Sequence, residues 1–300
     1  MADAPPVFTI ESFTAGDGYV WRFRRFPAAG APRGELVFIH GIQSHGGWYE
    51  GSCRDLCQAG FNISFLDRRG SGLNSGARGD APSFRRLLDD IAEYLTALPR
   101  AVTREDKVAK VPVFLAAISW GGKLAAALER RHPGLVDGLI LLCPGFVARV
   151  RPSLGQRLWI LLARLFRPRK LFTVPLNDPD LFTASPRWQE FLKNDPLRLL
   201  QATARLLVES ARLDGYLRFV PKYVHAPVLL LLAEQDRIIH NAKTRAFAER
   251  FTAKDKQVIE YAGAHHTLEF EEPRPFVQDV VKWLLDRSQE SGVRGQESVN

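Results

Sequence analysis

The chain alternates between runs that are apolar throughout and segments whose apolar residues recur at helical spacing. Glu35 to His40, Phe61 to Asp67, Val111 to Ile118 and Leu139 to Cys143 are rich in Val, Ile, Leu and Phe and do not alternate in polarity. Strands of a parallel sheet covered on both faces have that composition. Between them, Ser83 to Leu98 carries the helical period with Ser83 placed to cap its start, and Lys123 to Arg131 is a second helix closed by Pro133-Gly134. The predicted unit is βαβ, repeated. Upstream, Val7 to Phe13 and Tyr19 to Phe26 flank Gly16-Asp17-Gly18, which predicts an antiparallel hairpin on the sheet edge.

After Pro144-Gly145 the pattern changes: the segments turn helical, prolines recur from Pro152 to Pro221, and no strand is expected until Val228 to Ala233. Residues 146–222 therefore read as a helical insertion into an α/β core made of residues 1–145 and 223–288. The βα pattern resumes with a helix from Ala242 to Phe251, a strand from Gln257 to Tyr261 and a last helix from Pro273 to Arg287. Residues 289–300 are polar and contain glycine, which predicts a disordered tail.

Composition narrows the classes. Three hundred residues at 46% hydrophobic and 25% charged can bury a sizeable core, which excludes disorder for the bulk of the chain. The 3 cysteines are too few for a disulfide framework, and Cys53 and Cys57 lack partners at zinc-ligand spacing, so no metal is expected. Met1-Ala-Asp-Ala-Pro-Pro has neither a basic nor an apolar region, and no uncharged run is long enough to span a bilayer, so the expected location is cytoplasmic. The net charge of +8 is confined to one segment: residues 145–222 carry fourteen Arg or Lys against six Asp or Glu, and the remainder is balanced. Those basic residues are interleaved with leucines and form no stacking motif, which argues against a nucleic-acid partner.

The chemistry centres on Ala117-Ile118-Ser119-Trp120-Gly121-Gly122, which ends a strand and opens a helix. A serine on so sharp a turn is pushed out of the sheet, and its neighbours two positions away must be small, as Ala117 and Gly121 are. A serine nucleophile needs a base, and the base an orienting carboxylate. Asp236 stands just past one predicted strand and His266 just past another, in the order Ser, Asp, His, each at a strand's carboxyl end. Glu234 is an alternative to Asp236, and His240 or His265 to His266. The two oxyanion donors expected are the N–H groups of Trp120 and of Ile42, with Gly41 letting the backbone turn inward. His40, Gly41 and Trp120 are also candidates to contact substrate, although His40 reads better as a residue that fixes its loop.

At these residues the sequence resembles the monoacylglycerol lipase and lysophospholipase group of the α/β-hydrolase fold. The resemblance rests on Phe38-Ile39-His40-Gly41, Asp67-Arg68-Arg69-Gly70-Ser71-Gly72, the Ser119 turn, Glu234-Gln235-Asp236, and Gly263 to Glu271; within the insertion it extends to Leu181-Phe182-Thr183 and Lys193-Asn194-Asp195-Pro196-Leu197. It implies a mostly parallel eight-stranded sheet with helices on both faces, a cap formed by residues 146–222, a Ser119-Asp236-His266 triad working through an acyl-enzyme on lipid-like monoacyl esters, and no cofactor. Two departures stand out: the group's usual Gly-His-Ser-Met-Gly is replaced around Ser119, bringing in the bulky Trp120, and Gln43-Ser44-His45 stands where a Glu is common.

Ser153 to Arg167 sets Arg157, Arg164 and Arg167 on one side of a helical wheel and five leucines over much of the rest. That suits a helix lying on an anionic membrane surface, a peripheral contact, and equally a cap helix packed on the core with a solvated arginine face. Other readings open to the sequence are hydrolysis of a thioester, carbon-carbon bond or proline peptide on the same fold, or a binding protein without catalysis. Oligomeric state is not legible.

Overall fold

In the computed structural model the described residues are 8–297, except 75, 105 and 106; Val7, the expected start of the hairpin, and residues 298–300 of the expected tail lie outside them. The hairpin comprises β1 (Thr9–Thr14) and β2 (Val20–Phe26), joined by a turn in which Ala15 and Tyr19 exchange a main-chain hydrogen bond and Gly18 takes φ 81°. There follow β3 (Gly34–Ile39), α1 (Glu50–Gln58), β4 (Phe61–Leu66), α2 (Phe84–Ala97), a small hairpin of β5 (Ala101–Arg104) and β6 (Lys107–Lys110), β7 (Val113–Ile118), α3 (Trp120–Arg131) and β8 (Gly138–Leu142). Ser83 caps α2 by accepting from the Arg86 N–H, as its position predicts.

The chain then runs through α4 (Leu154–Phe166), β9 (Leu171–Thr173), α5 (Pro186–Asn194), β10 (Gln201–Thr203) and α6 (Ala204–Leu217) before β11 (Val228–Ala233), α7 (Asn241–Glu249), β12 (Lys256–Tyr261) and α8 (Pro275–Glu297). Eight strands form one sheet in the order β1-β2-β4-β3-β7-β8-β11-β12. All its pairs from β4 to β12 are parallel, and β2 runs against its neighbours. This is the α/β-hydrolase arrangement. Every residue of β3, β7, β8 and β11 is buried, which is why these strands lack an alternating pattern.

Four expectations need correction. The segment 146–222 is not free of strands: β9 and β10 pair antiparallel, and at three residues each they are too short to leave a period. α1 was not expected, because Gly51, Ser52 and two cysteines are weak helix formers. α3 begins at Trp120 and not Lys123, with two glycines in its first turn. The last helix does not end at Arg287 but runs to Glu297, through most of the segment expected to be disordered.

α4 also departs from the picture of a helix packed on the core. Only Ile160 and Ala163 of it are buried, against Ala204 and Val208. Leu154 (81% exposed), Trp159 (63%) and Phe166 (80%) are exposed, and so are Leu158, Leu161, Leu162 and Leu165. Arg157 and Arg167 are exposed, whereas Arg164 is half-buried with its Nε unpartnered. Among the described residues no helix is long and apolar enough to cross a membrane.

The loop after β4 is organised by Asp67, which is fully buried. Oδ1 accepts from Gly46 N–H (2.7 Å), and Oδ2 from Leu73 N–H (2.9 Å) and the Arg24 guanidinium (3.2 Å). Gly72, at φ 54°, packs so closely on this carboxylate that a side chain would collide with it. Asp67→Asn points an amide N–H at one of these donors and removes the charge opposite Arg24. It should lower unfolding free energy by about 2–4 kcal/mol. Urea denaturation checks this, and a loss below about 1 kcal/mol would contradict the role given to Asp67.

Candidate active site

Ser119 follows the last residue of β7 and precedes the first of α3, with φ 53° and ψ −120°. Few side chains tolerate that backbone, and it is held here by three main-chain hydrogen bonds. Ser119 N–H donates to Leu142 O (2.9 Å), and Ser119 O accepts from Gly122 N–H (3.0 Å) and Gly145 N–H (2.7 Å). The glycines are required by contact: a Cβ on Gly121 would lie 2.6 Å from His40 O, and one on Gly122 would lie 2.5 Å from Pro144 Cβ.

His266 bridges Ser119 to Asp236. Its Nε2 is 2.9 Å from Ser119 Oγ and its Nδ1 is 2.6 Å from Asp236 Oδ2. Asp236 Oδ1 accepts from the N–H groups of Ile238 (2.7 Å) and Ile239 (2.9 Å), so the carboxylate is an acceptor throughout. Nδ1 therefore carries the imidazole proton and Nε2 offers its lone pair to the serine hydroxyl. Asp236 and His266 are buried, at most 3% exposed, while Ser119 is half-buried. The arrangement can take a proton from Ser119 Oγ as the oxygen attacks, with the resulting imidazolium stabilised by Asp236.

Two of the alternatives weighed for these roles, Glu234 and His265, are engaged elsewhere. Glu234 accepts from Gly263 N–H (2.8 Å) at the start of the histidine loop, and His265 is bonded through N and Nδ1 to Glu271. His240 precedes α7 and donates its backbone N–H to Val147 O.

Ile42 and Trp120 line the same cavity as Ser119, and among the described residues neither of their N–H groups has a hydrogen-bond partner. Gly41 packs against Ser119, where a Cβ would lie 3.2 Å from the serine Cβ. Of the three candidate substrate contacts, Trp120 lines the cavity, whereas His40 and Gly41 are not among its lining residues. His40 Nε2 accepts from Arg68 N–H (3.1 Å), so the proton sits on Nδ1 and is donated to Gly41 O (2.7 Å). Burial, reinforced by Arg68, holds its pKa well below the usual imidazole range. His40 is a neutral strut for the loop.

Several residues of the site were not picked out by sequence. Arg68 donates to Ile42 O and lies over the Trp120 ring (5.2 Å), touching both candidate oxyanion residues; burial lowers its pKa to about 10, which leaves it charged at neutral pH. Cys143, at φ 42°, lies with its thiol against Asp236; ligand atoms of Cys143, Asp236 and His266 fall within 4.8 Å of one another. Burial, then the Asp236 charge, push that thiol well above its ordinary range, and both His266 ring nitrogens already have partners, so the trio is poorly suited to hold a metal. Phe182 contacts the His266 ring (6.2 Å between centroids). Asp195 accepts from Trp48 Nε1 (2.6 Å) and pairs with His45 Nε2 (3.0 Å), while Arg198 binds Gln43 Oε1 (3.1 and 3.2 Å). The residues that replace the family's Glu are therefore tied to the insertion.

Ser119 opens on a cavity of about 540 Å³ between the sheet end and residues 146–218. Its wall is largely apolar, with Phe146, Val150, Ile160, Leu176, Val208 and Ile239 among its residues. Trp120 Nε1 donates to Ser210 Oγ (2.8 Å) and Lys123 Nζ pairs with Asp214 (2.6 Å), so α3 is fastened to α6 beside the serine.

Comparison with known proteins agrees with this architecture. The monoacylglycerol lipase of Mycolicibacterium smegmatis is 26% identical over 85% of this chain and 89% of its own, and the human monoglyceride lipase 24% identical over 96% and 94%. The crystal structure of a soluble variant of monoglyceride lipase from Saccharomyces cerevisiae superposes with a TM-score of 0.78 at 19% identity, covering 95% of this chain and 97% of that one. Residues 30–273 match the family described as serine aminopeptidase, S33. That span takes in Ser119, Asp236 and His266 together with the strands β3 to β12, and the chain accordingly belongs to this family as a serine hydrolase of the α/β-hydrolase fold, similar to the monoacylglycerol lipases.

Proposed function

We propose that this protein is a carboxylic-ester hydrolase acting on lipid-like monoacyl esters through an acyl-enzyme. The observation that carries the reading is the His266 bridge between Ser119 and Asp236, opening on an apolar cavity roofed by the insertion. In the proposed course Ser119 Oγ attacks the ester carbonyl while His266 Nε2 takes its proton. The N–H groups of Ile42 and Trp120 stabilise the oxyanion. His266 then returns the proton to the departing alcohol, leaving the acyl group on Ser119. Water, deprotonated by His266, attacks that acyl group; Ser119 Oγ departs with the proton, and a carboxylic acid is released. No step uses a metal or cofactor.

Cleavage of peptides from a free amino terminus is less well supported. An α-ammonium needs a carboxylate near the serine, and the cavity lining offers Asp214, which Lys123 already neutralises. Four cations, Lys123, Arg151, Arg157 and Arg218, line the same space.

The insertion reads as a cap whose α4 lies on a membrane surface. Seven large apolar side chains exposed on thirteen residues, with Arg157 and Arg167 beside them, support this.

Ser119→Ala should remain folded and lose ester turnover by roughly four to six orders of magnitude, together with fluorophosphonate labelling. Labelling that survives in the variant would remove Ser119 from the reading. His266→Ala should be comparably damaged and the loss not additive with Ser119→Ala, whereas His265→Ala, whose ring faces Glu271, should retain most activity. Steady-state kinetics on a short soluble ester distinguish the two, and an inactive His265→Ala with an active His266→Ala would reverse the assignment.

Leu158, Leu165 and Phe166 together changed to Ser should weaken binding to anionic vesicles by about two decades, at roughly 1 kcal/mol or more for each partly inserted side chain. Hydrolysis of a soluble ester should stay within about threefold, since none of the three lines the cavity. Vesicle co-sedimentation is the measurement; unchanged binding would return α4 to the role of a roof.

A further inference from the structure

Arg68 stands two residues past β4, and its main chain is anchored at both polar groups. Its N–H donates to His40 Nε2 (3.1 Å), and its carbonyl accepts from Ser71 N–H (3.2 Å) and Asn74 Nδ2 (3.4 Å). From there the side chain reaches both residues expected to receive the oxyanion. Nη2 donates to Ile42 O, and the guanidinium lies over the Trp120 ring with its Cζ 5.2 Å from the centroid. That ring is itself held, because Trp120 Nε1 donates to Ser210 Oγ (2.8 Å).

The contacts fix the direction of one N–H group. Ile42 N–H shares a planar trans peptide with Gly41 O and points away from it, and Gly41 O accepts from His40 Nδ1 (2.7 Å), whose ring Arg68 N–H holds from the other side. The next peptide plane carries Ile42 O, which Arg68 Nη2 holds directly. Both planes flanking Ile42 thus depend on this one residue. Its charge also differs from that of its neighbours. Arg69 is paired with Asp90 and Asp17, and Arg24 with Asp67 and Glu50. Among the described residues Arg68 has no carboxylate partner, and its Nε and Nη1, both shielded from water, have no hydrogen-bond partner. The adjacent Asp67 is occupied by Gly46, Leu73 and Arg24.

We infer that Arg68 is the positioning residue of the oxyanion site: through the Ile42 carbonyl and the Trp120 ring it sets where the two N–H groups stand when negative charge develops between them. The inference rests on the ester hydrolysis proposed above and on the roles given there to Ile42 and Trp120. Its effect belongs to the transition state. A tetrahedral oxyanion draws far more from well-placed donors than a ground-state carbonyl does, so loosening them lowers kcat and leaves substrate binding along the apolar wall nearly untouched. The charge of Arg68, held without a paired carboxylate, acts in the same direction.

Arg68→Met keeps most of the side chain's length and removes its donors and its charge. On a short soluble ester its kcat should fall by about ten- to hundredfold while KM stays within about threefold. Arg68→Lys keeps the charge and a donor but not the planar fork, and its loss should lie at about three- to tenfold. A trifluoromethyl ketone inhibitor supplies a readout that a merely structural residue would not move. Ser119 Oγ adds to its carbonyl carbon, the Oγ proton passes to His266, and the ketone oxygen becomes the oxyanion. Its affinity should weaken in step with kcat/KM, whereas the corresponding secondary alcohol, which forms no adduct, should bind the wild type and both variants alike. Unchanged kcat and ketone affinity in Arg68→Met overturn the inference. So does a loss carried by KM with ketone and alcohol weakened equally, which means a misshapen cavity. A lysine variant no better than the methionine one leaves neither donor nor charge with a part, and overturns it as well. Should Arg68→Met fail to fold, Arg68→Lys decides alone, wild-type kcat and ketone affinity counting against the inference. A wild type that neither cleaves esters nor binds the ketone is a different result, which overturns the ester reading itself and this inference with it.

Discussion

The backbone at Ser119 is the constraint around which the site is assembled. A non-glycine residue at φ 53° and ψ −120° is strained by about 1–3 kcal/mol and persists only where its surroundings leave no alternative. Here β8 supplies the Leu142 acceptor, the turn after β8 supplies the Gly145 donor, and α3 supplies Gly122. Two glycines in the first turn of a helix cost about 1 kcal/mol each relative to alanine. They are tolerated because the His40 carbonyl and Pro144 leave no room for a side chain. The same tightness brings the loop carrying Ile42 and the start of α3 to one cavity beside Ser119.

Charge is distributed to match. In the core the arginines near the sheet end are answered by carboxylates: Arg69 by Asp90 and Asp17, Arg24 by Asp67 and Glu50, Arg25 by Glu35. These pairs fix loops, and being largely buried they would be costly to break singly. The insertion carries the excess of positive charge, and among the described residues only Lys123 of the cations lining the cavity is paired with a carboxylate, that of Asp214.

How much of this was legible depended on the range of the forces involved. The strands and their order along the chain follow from local composition, because residues buried on both faces must be apolar. Ser119, Asp236 and His266 could be chosen because each sits at a strand end, where the sheet delivers side chains to one edge. His40 was legible as a loop-fixing residue, but not the two contacts by which it does so, to Arg68 N–H and Gly41 O, which only the folded loop brings to its two nitrogens. Cys143 gave no signal for the same reason, and Arg68, although within a motif that carries the resemblance, gave none of its contacts to Ile42 and Trp120. α1 and the pair β9 and β10 are imposed by tertiary contact: Ser52 N–H, in the first turn of α1, is met by Glu269 Oε1 from the histidine loop (3.1 Å), more than two hundred residues away.

The insertion is tied to the serine from both sides. Asp195 and Arg198 hold His45 and Gln43, next to the loop that presents Ile42, and Ser210 and Asp214 hold Trp120 and Lys123 on α3. Both candidate oxyanion donors therefore belong to segments whose positions depend on the insertion being seated. A cap attached at only one side could swing without disturbing the oxyanion site. With attachments on both sides, displacement of residues 146–222 would, on the proposed reading, shift both candidate oxyanion donors together, because His45 and Gln43 on one side and Trp120 and Lys123 on the other are held by the same segment.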